Sequence, residues 1–317
     1  MSLSIAGRIR ATVVLLSAAL LYIFSMMFSV QANAAIMHYR IDINGNVFEE
    51  APGIRRYGHN DNYTNNFWIL DGNNNTIGLQ GPNGFGQRPL SAPFHVNDIV
   101  DVHYTGTVNG GRIWVEATNG QHYAVNRNGQ VEGQAPSYIR YYSIDDNTDN
   151  NWLRLDANAN TISVDGNGGT GTRPLNAPFS VADIQDVTWT GFLGGIRQFW
   201  VTTATGSHRI DQNGNVTGSL PTGVRFYDYD DNYDFNYLVL DANANMFGVS
   251  GGGPNNFGMR ALNTNLFTVA DIQDVTMTGY GATGDIWVSV EVVPVPAAIW
   301  LFGSGLGLLG WLRRRTS

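Results

Sequence analysis

A spaced recurrence constrains this chain more tightly than any composition does. Ile54-Arg55-Arg56-Tyr57 returns as Ile139-Arg140-Tyr141-Tyr142 and as Val224-Arg225-Phe226-Tyr227, 85 residues apart each time. Asp61-Asn62 returns at Asp146-Asn147 and Asp231-Asn232, and Asp71 at Asp156 and Asp241. Further along, Asp98-Ile99 with Asp101-Val102 matches Asp183-Ile184 with Asp186-Val187 and Asp271-Ile272 with Asp274-Val275, the third copy having gained three residues. Ile113-Trp114-Val115 closes the pattern and recurs as Phe199-Trp200-Val201 and Ile286-Trp287-Val288. A fixed period means one supersecondary unit built several times, with its core buried between copies. Three repeats are expected, approximately 35–120, 121–206 and 207–292, together forming one β domain over 35–292.

Within each repeat the segments are short, rich in Val, Ile, Thr and aromatics, and separated by Asn, Gly and Asp clusters, which predicts an all-β fold. Asn44-Gly45, Asn128-Gly129 and Asn213-Gly214 read as two-residue type I′ hairpin turns. The first His strand (His38-Tyr39-Arg40-Ile41) has no Trp strand before it, and the last Trp strand (Ile286 to Val290) has no His strand after it. These ends are complementary halves of one hairpin, and their pairing would remove two edge strands. A half-repeat is also visible, and half of 85 is about the length of a four-stranded propeller blade. The expected architecture is a closed, propeller-like toroid of six alternating blades. Three β-sandwiches in tandem are the alternative.

The two ends read differently from the body. Residues 1–34 carry Arg8 and Arg10, an apolar run from Ala11 to Val30 and then Ala32-Asn33-Ala34, the pattern of a signal peptide cleaved after Ala34. From Val292 to Leu312 no residue is charged, a length that crosses a bilayer as a helix. Arg313, Arg314 and Arg315 follow and would stay cytoplasmic, leaving the body outside. The expectation is therefore a β domain flanked by an N-terminal signal helix and a C-terminal transmembrane helix. Of the 18 basic residues, all arginine, two lie in the first segment and three in the last, which leaves 13 in the body against all 26 acidic residues, a net of −13. Such a surface repels phosphate backbones, so no nucleic-acid partner is expected. The chain has no cysteine and must be held by its core and its repeats.

Val293-Pro294-Val295-Pro296, the apolar segment from Ala297 and the closing arginines resemble the PEP-CTERM sorting signal, in a VPxP variant with Val295 where the commonest form has glutamate. The resemblance covers residues 293–317. It implies a Gram-negative exoprotein handled by signal peptidase and then by an exosortase-type processing enzyme. Transient anchoring in the inner membrane and release to the cell surface or an extracellular polysaccharide matrix would follow. Ala32, Ala34, Pro294, Pro296 and Arg313–Arg315 are the processing residues on that reading; a plain membrane-anchored surface protein is the alternative.

Candidate chemistry is sparse. Asp228, Asp230, Asp231 and Asp234 crowd hard oxygen ligands into one loop, as calcium requires, although Asp and Asn also serve turns by bonding their own backbone. No other cofactor is expected. On strand alternation Trp114, Trp200 and Trp287, and with them Phe67, Trp152 and Tyr237, fall on the more polar faces. Sugar rings stack on such surfaces, and packing between blades is the competing role. His38, His122 and His208 repeat with the fold, as a zinc site on an axis would need. Arg88, Arg173 and Arg260 repeat too and would pair with repeated aspartates. No nucleophile elbow, H-E-x-x-H or phosphate loop is present, and no catalytic residue is assigned. The unrepeated Glu49, Glu50, His59 and His95 are where an asymmetric active site would lie. The expected function is a non-enzymatic, structural or adhesive protein of the surface or matrix, binding exopolysaccharide through repeated faces; a polysaccharide-acting enzyme is the alternative.

Overall fold

The computed structural model describes residues 35–59, 66–81, 84–104, 112–144, 151–166, 168–229, 235–251, 256–277 and 286–292. Its segments of alternating burial form six antiparallel sheets of four strands each. Strands β1 (Ala35–Ile41) and β2 (Val47–Glu49) come first, followed by blade one: β3 (Ile54–Gly58), β4 (Phe67–Asp71), β5 (Thr76–Gln80) and β6 (Phe85–Pro89). Blade two holds β7 (Ile99–Tyr104), β8 (Arg112–Ala117), β9 (His122–Asn126) and β10 (Val131–Ala135). Blade three holds β11 (Ile139–Ser143), β12 (Trp152–Asp156), β13 (Thr161–Asp165) and β14 (Gly171–Pro174). Blade four holds β15 (Ile184–Leu193), β16 (Ile196–Thr203), β17 (Gly206–Asp211) and β18 (Val216–Ser219). Blade five holds β19 (Val224–Asp228), β20 (Tyr237–Asp241), β21 (Met246–Ser250) and β22 (Arg260–Ala261). Blade six is assembled from both ends of the domain, in the order β2-β1-β24-β23, with β23 (Ile272–Met277) and β24 (Ile286–Val292).

This six-bladed β-propeller corrects the expectation in two respects. The structural unit is a four-stranded blade and there are six, so neither three units of about 85 residues nor three tandem sandwiches describe the architecture. The reason is that one sheet has two faces to cover: each 85-residue stretch supplies two sheets that pack on each other and on their neighbours. The boundary at 120/121 falls inside blade two, between β8 and β9, and that at 206/207 falls within β17 of blade four. The flanking helices are the second correction. Among the described residues the only helices are three single 3₁₀ turns, and no helix is long and apolar enough to cross a membrane. Residues 1–34 and 293–317, including all the processing residues, lie outside the described residues.

Blades are fastened to each other by devices that recur around the ring. Arg55, Arg140 and Arg225 leave the innermost strands and donate to backbone carbonyls next door: Val96 and Ile99, Val181 and Ile184, Val269 and Ile272. The same 3₁₀ turns are held from the other side. Asn75, Asn160 and Asn245 adopt left-handed backbone (φ 53°, 51° and 53°) and their Oδ1 atoms accept from Val96, Val181 and Val269 N–H at 2.9, 2.8 and 2.8 Å. Asparagine tolerates this region better than other residues with a side chain.

The Asn-Gly turns differ from expectation in a way that matters. Only the glycines have positive φ (87°, 78° and 85° at Gly45, Gly129 and Gly214), while Asn44, Asn128 and Asn213 do not. A side-chain oxygen of Asp42, Asn126 or Asp211 starts each turn by accepting two backbone N–H groups, for example from Asn44 at 2.8 Å and Asn46 at 2.9 Å. A longer loop ending in a left-handed glycine results, rather than a two-residue type I′ turn. The glycine carbonyl then accepts from the neighbouring blade: Ser91 N at 2.7 Å, Asn176 N at 2.8 Å and Asn263 N at 2.9 Å.

A Cβ on Gly129 would lie 2.3 Å from the Pro89 carbonyl oxygen, at a φ that disfavours any side chain. Gly129→Ala is therefore expected to destabilise the protein by about 1–3 kcal/mol, read as a lowered urea midpoint with unchanged m-value.

Candidate functional site

The innermost strand of every blade is the first or last of its sheet, and these six strands (β3, β7, β11, β15, β19 and β23) surround the axis. Their C-terminal halves line a cavity of about 180 Å³. Blades two, four and six each contribute an aspartate, Asp101, Asp186 and Asp274, blades one and five contribute Tyr57 and Tyr227, and blade three contributes Ser143 and Ile144, with Tyr142 packed in the core behind them. Strand alternation explains the selection. On β7, Asp101 and His103 share the axial face, while Val102 and Tyr104 pack into the core between blades one and two. Asp is disfavoured inside strands, and here three copies of it stand mid-strand with their carboxylates directed to one space.

Each carboxylate accepts a hydrogen bond from the following backbone N–H: Val102 at 2.6 Å, Val187 at 2.7 Å and Val275 at 2.7 Å. Beyond that the three copies differ. His103 Nε2 lies 2.9 Å from Asp101 Oδ2, whereas Thr188 and Thr276 occupy the positions equivalent to His103. Burial by itself pushes the Asp101 carboxyl up, but the His103 imidazolium and its hydrogen bond outweigh this and hold it below the usual value. For His103, burial disfavours the charged ring, and Asp101 more than compensates, raising its pKa. Asp186 has no such partner; burial, and then the charge on Asp101, raise it to about 6. Asp274 is raised well above its usual value by burial and by repulsion from Asp101 and Asp186. The site thus holds one ionised acid paired with a cation, beside two acids that resist ionising.

The tyrosines complete the layer. Tyr142 and Tyr227 hydroxyls accept from Arg140 and Arg225 Nη1 at 3.3 and 3.2 Å. The Tyr57 hydroxyl is likewise buried beside the Arg55 guanidinium, in a residue 1% exposed. At the rim, His59 stacks on Tyr104 with ring centroids 3.8 Å apart, and burial lowers its pKa to about 3, so the ring is neutral.

The aromatic candidates lie elsewhere, between blades. Trp114 of blade two stacks on Tyr141 (4.3 Å) and meets Trp152 edge-on (6.4 Å) in blade three. Trp200 packs on Phe226, which stacks on Tyr237, across blades four and five. At the boundary of blades six and one, the Arg56 guanidinium lies over both Phe67 (4.6 Å) and Trp287 (4.9 Å). Five of the six are buried and Trp114 is half-buried. Stacking a sugar on them would require displacing the neighbouring blade, so packing is the role these contacts give them.

The remaining candidates scatter. His38 is buried against Ser289 (2.7 Å), with burial, then Arg55 and Arg56, lowering its pKa to about 3; His122 pairs with Glu116 at 3.2 Å; His208 packs on Phe179. They do not meet on the axis, and among the described residues no group of three His, Asp or Glu is arranged to hold a metal ion. Asp228 lies on β19 at the cavity, while Asp230, Asp231 and Asp234 fall outside the described residues. Arg88, Arg173 and Arg260 are exposed on outer strands, and among the described residues no ion pair joins them to the repeated aspartates. Of the unrepeated set, Glu50 pairs with Arg56, Glu49 is exposed at the end of β2, His95 caps a 3₁₀ turn, and His59 alone borders the cavity. The axial acids stand in the sequence as repeat landmarks; an acid inside the apolar run Ile-x-Asp-Val was the signal that marked them.

No family model and no curated protein matches the chain. Among solved structures, a streptogramin B lyase is similar at 17% identity over 81% of this chain and 87% of that one, with a TM-score of 0.44. The virginiamycin B lyase of Staphylococcus aureus is similar at 13% identity over 81% and 100%, with a TM-score of 0.43. Saccharomyces cerevisiae Sqt1 gives 10% identity over 78% and 74%, with a TM-score of 0.43. Likenesses of this degree carry nothing about chemistry.

Two outcomes are expected. Trp152→Ala removes a large buried side chain (6% exposed) and lowers stability by about 3–5 kcal/mol in denaturant unfolding. For Asp186 the folded pKa exceeds the unfolded value, so folding favours its protonated form and its ionisation costs stability as pH rises from about 4 through 6. Asp186→Asn should therefore stabilise the protein at pH 8, by up to about 3 kcal/mol, and have little effect below pH 4. Thermal unfolding at the two pH values checks this.

Proposed function

We propose that this chain is an exported, non-catalytic binding protein of the bacterial surface or extracellular matrix, taking its ligand at the axial cavity. The observation that carries the reading is the convergence of Asp101, Asp186 and Asp274 on one cavity, at a cost in ionisation that packing alone does not require. Buried charges persist where something compensates them. Export is supported by Ala32-Asn33-Ala34 and by the resemblance of residues 293–317 to a sorting signal. Extracellular polysaccharide is the proposed partner. With the repeated aromatics packed between blades, the polymer would be met once per chain at the axis, and not through three equivalent faces.

The test is cosedimentation of the full-length protein with extracellular polysaccharide from its source bacterium. Binding is expected without change in polymer length, and Asp186→Asn combined with Asp274→Asn should reduce it at least about tenfold. Binding unaffected by that double variant would sink the axial reading.

A second reading has one specific observation in its favour. Asp101, its carboxyl held below the usual value beside His103, and Asp274, its carboxyl raised well above it by burial, are pushed apart in one cavity, the direction of separation that acid–base catalysis on sugars uses. Shortening of the polymer, abolished by Asp274→Asn alone, would decide for a polysaccharide-acting enzyme.

A further inference from the structure

Three equivalent positions border the cavity just past the inner strands of blades one, three and five, and only the first holds a histidine: His59, Ile144 and Tyr229. Their backbones are alike. Each N–H donates to the carbonyl of the asparagine that precedes the next strand, Asn66, Asn151 or Asn236, at 3.2, 3.3 and 3.2 Å. The side chains differ. Asn151 Oδ1 and both polar atoms of the Asn236 side chain are buried without a partner, whereas Asn66 Nδ2 lies 3.1 Å from His59 Nδ1. The ring is also fixed in place. It stacks on Tyr104 at 3.8 Å and is only 5% exposed. Gly58, the residue before it, donates its N–H to Thr276 Oγ1 at 2.5 Å and sits so close to blade six that a Cβ would lie 2.3 Å from the Met277 carbonyl oxygen.

An amide nitrogen can only donate, so His59 Nδ1 is an acceptor and the ring proton sits on Nε2. Burial keeps that ring neutral. Nε2 makes no hydrogen bond and is not sealed in the core, which leaves the cavity that His59 lines as the space it meets. Resting on the reading of the axis as a ligand site, we propose that His59 is its specificity-determining contact, a fixed Nε2–H donor to an uncharged oxygen of a neutral sugar residue. Neutrality follows from what else lines the cavity. A sugar hydroxyl can accept from His59 and donate to a carboxylate, whereas the carboxylate of an acidic sugar only accepts and would meet Asp101, Asp186 and Asp274 as like charge. At about 180 Å³ the cavity is smaller than the sites that take drug-sized molecules, which limits the ligand to one residue of a polymer.

The experiment separates polysaccharide from the source bacterium on an anion exchanger and cosediments the full-length protein with the neutral and the acidic fraction at pH 7. The neutral fraction should bind at least about tenfold tighter than the acidic one. His59→Phe keeps a ring against Tyr104 and removes both nitrogens; it should weaken capture of the neutral fraction at least about tenfold. Circular dichroism and the urea midpoint of that variant show whether lost binding is lost folding. Independently of any ligand, two-bond proton–nitrogen correlation spectra should show His59 as the neutral Nε2–H tautomer. A proton on Nδ1, or an imidazolium at pH 7, overturns the donor assignment. So does tighter capture of the acidic fraction. Capture unchanged by His59→Phe but lost in the Asp186→Asn, Asp274→Asn double variant overturns the assignment and keeps the axis as a ligand site. Capture of neither fraction, or capture indifferent to His59→Phe and to the double variant alike, overturns the assignment and the axial reading together.

Discussion

Pairing of β1 with β24 is the contact on which the ring depends. Each blade covers its neighbour's face, so a ring with one blade incomplete would expose two apolar faces and the edges of β1 and β24. Sheet edges with unpaired N–H and C=O groups recruit other strands. Here the first and last strands of the domain meet instead, with His38 and Ser289 hydrogen-bonded across the join. Because the join lies inside a blade and not between blades, opening the ring requires breaking a strand ladder, and inter-blade packing alone does not have to hold it shut.

Closure has an electrostatic consequence. Repetition puts the same residue at the same height in alternate blades, and the ring turns those residues inward. A surface residue repeated three times stays solvated; an axial one meets its copies in low dielectric, where like charges repel strongly. Asp101, Asp186 and Asp274 are in that position, and only the first copy has acquired a histidine to offset it. The site arises from broken symmetry: three equal acids, one compensated and two not. The arginine and asparagine fastenings stay symmetric, because they serve backbone groups that are alike in every copy.

Much of the architecture was legible before any coordinates. The recurrence of the His and Trp strands with unmatched ends pointed to closure, and the half-repeat pointed to six blades. The unit size was less so: an 85-residue period is equally the length of a small domain, and period alone does not say whether one sheet or two fill it. The Asn-Gly pairs do mark turns, but of another geometry than type I′, since Asp42, Asn126 and Asp211 start each loop two residues before the pair. Trp114, Trp200 and Trp287 fell on the less apolar face of their strands, a signal that in an open sheet means solvent. In a propeller both faces are covered, and the pattern no longer separates inside from outside.

By itself the sequence determined the all-β class, the strands, the joining of the ends and the net negative charge, because these follow from local propensity, periodicity and counting. Only the tertiary structure decided which repeated residues meet. Sequence spacing placed Asp101 85 residues from Asp186 and 173 from Asp274, as landmarks of a period. The ring placed all three at one cavity, where burial and mutual repulsion push the carboxyls up and the one histidine, His103, brings Asp101 down.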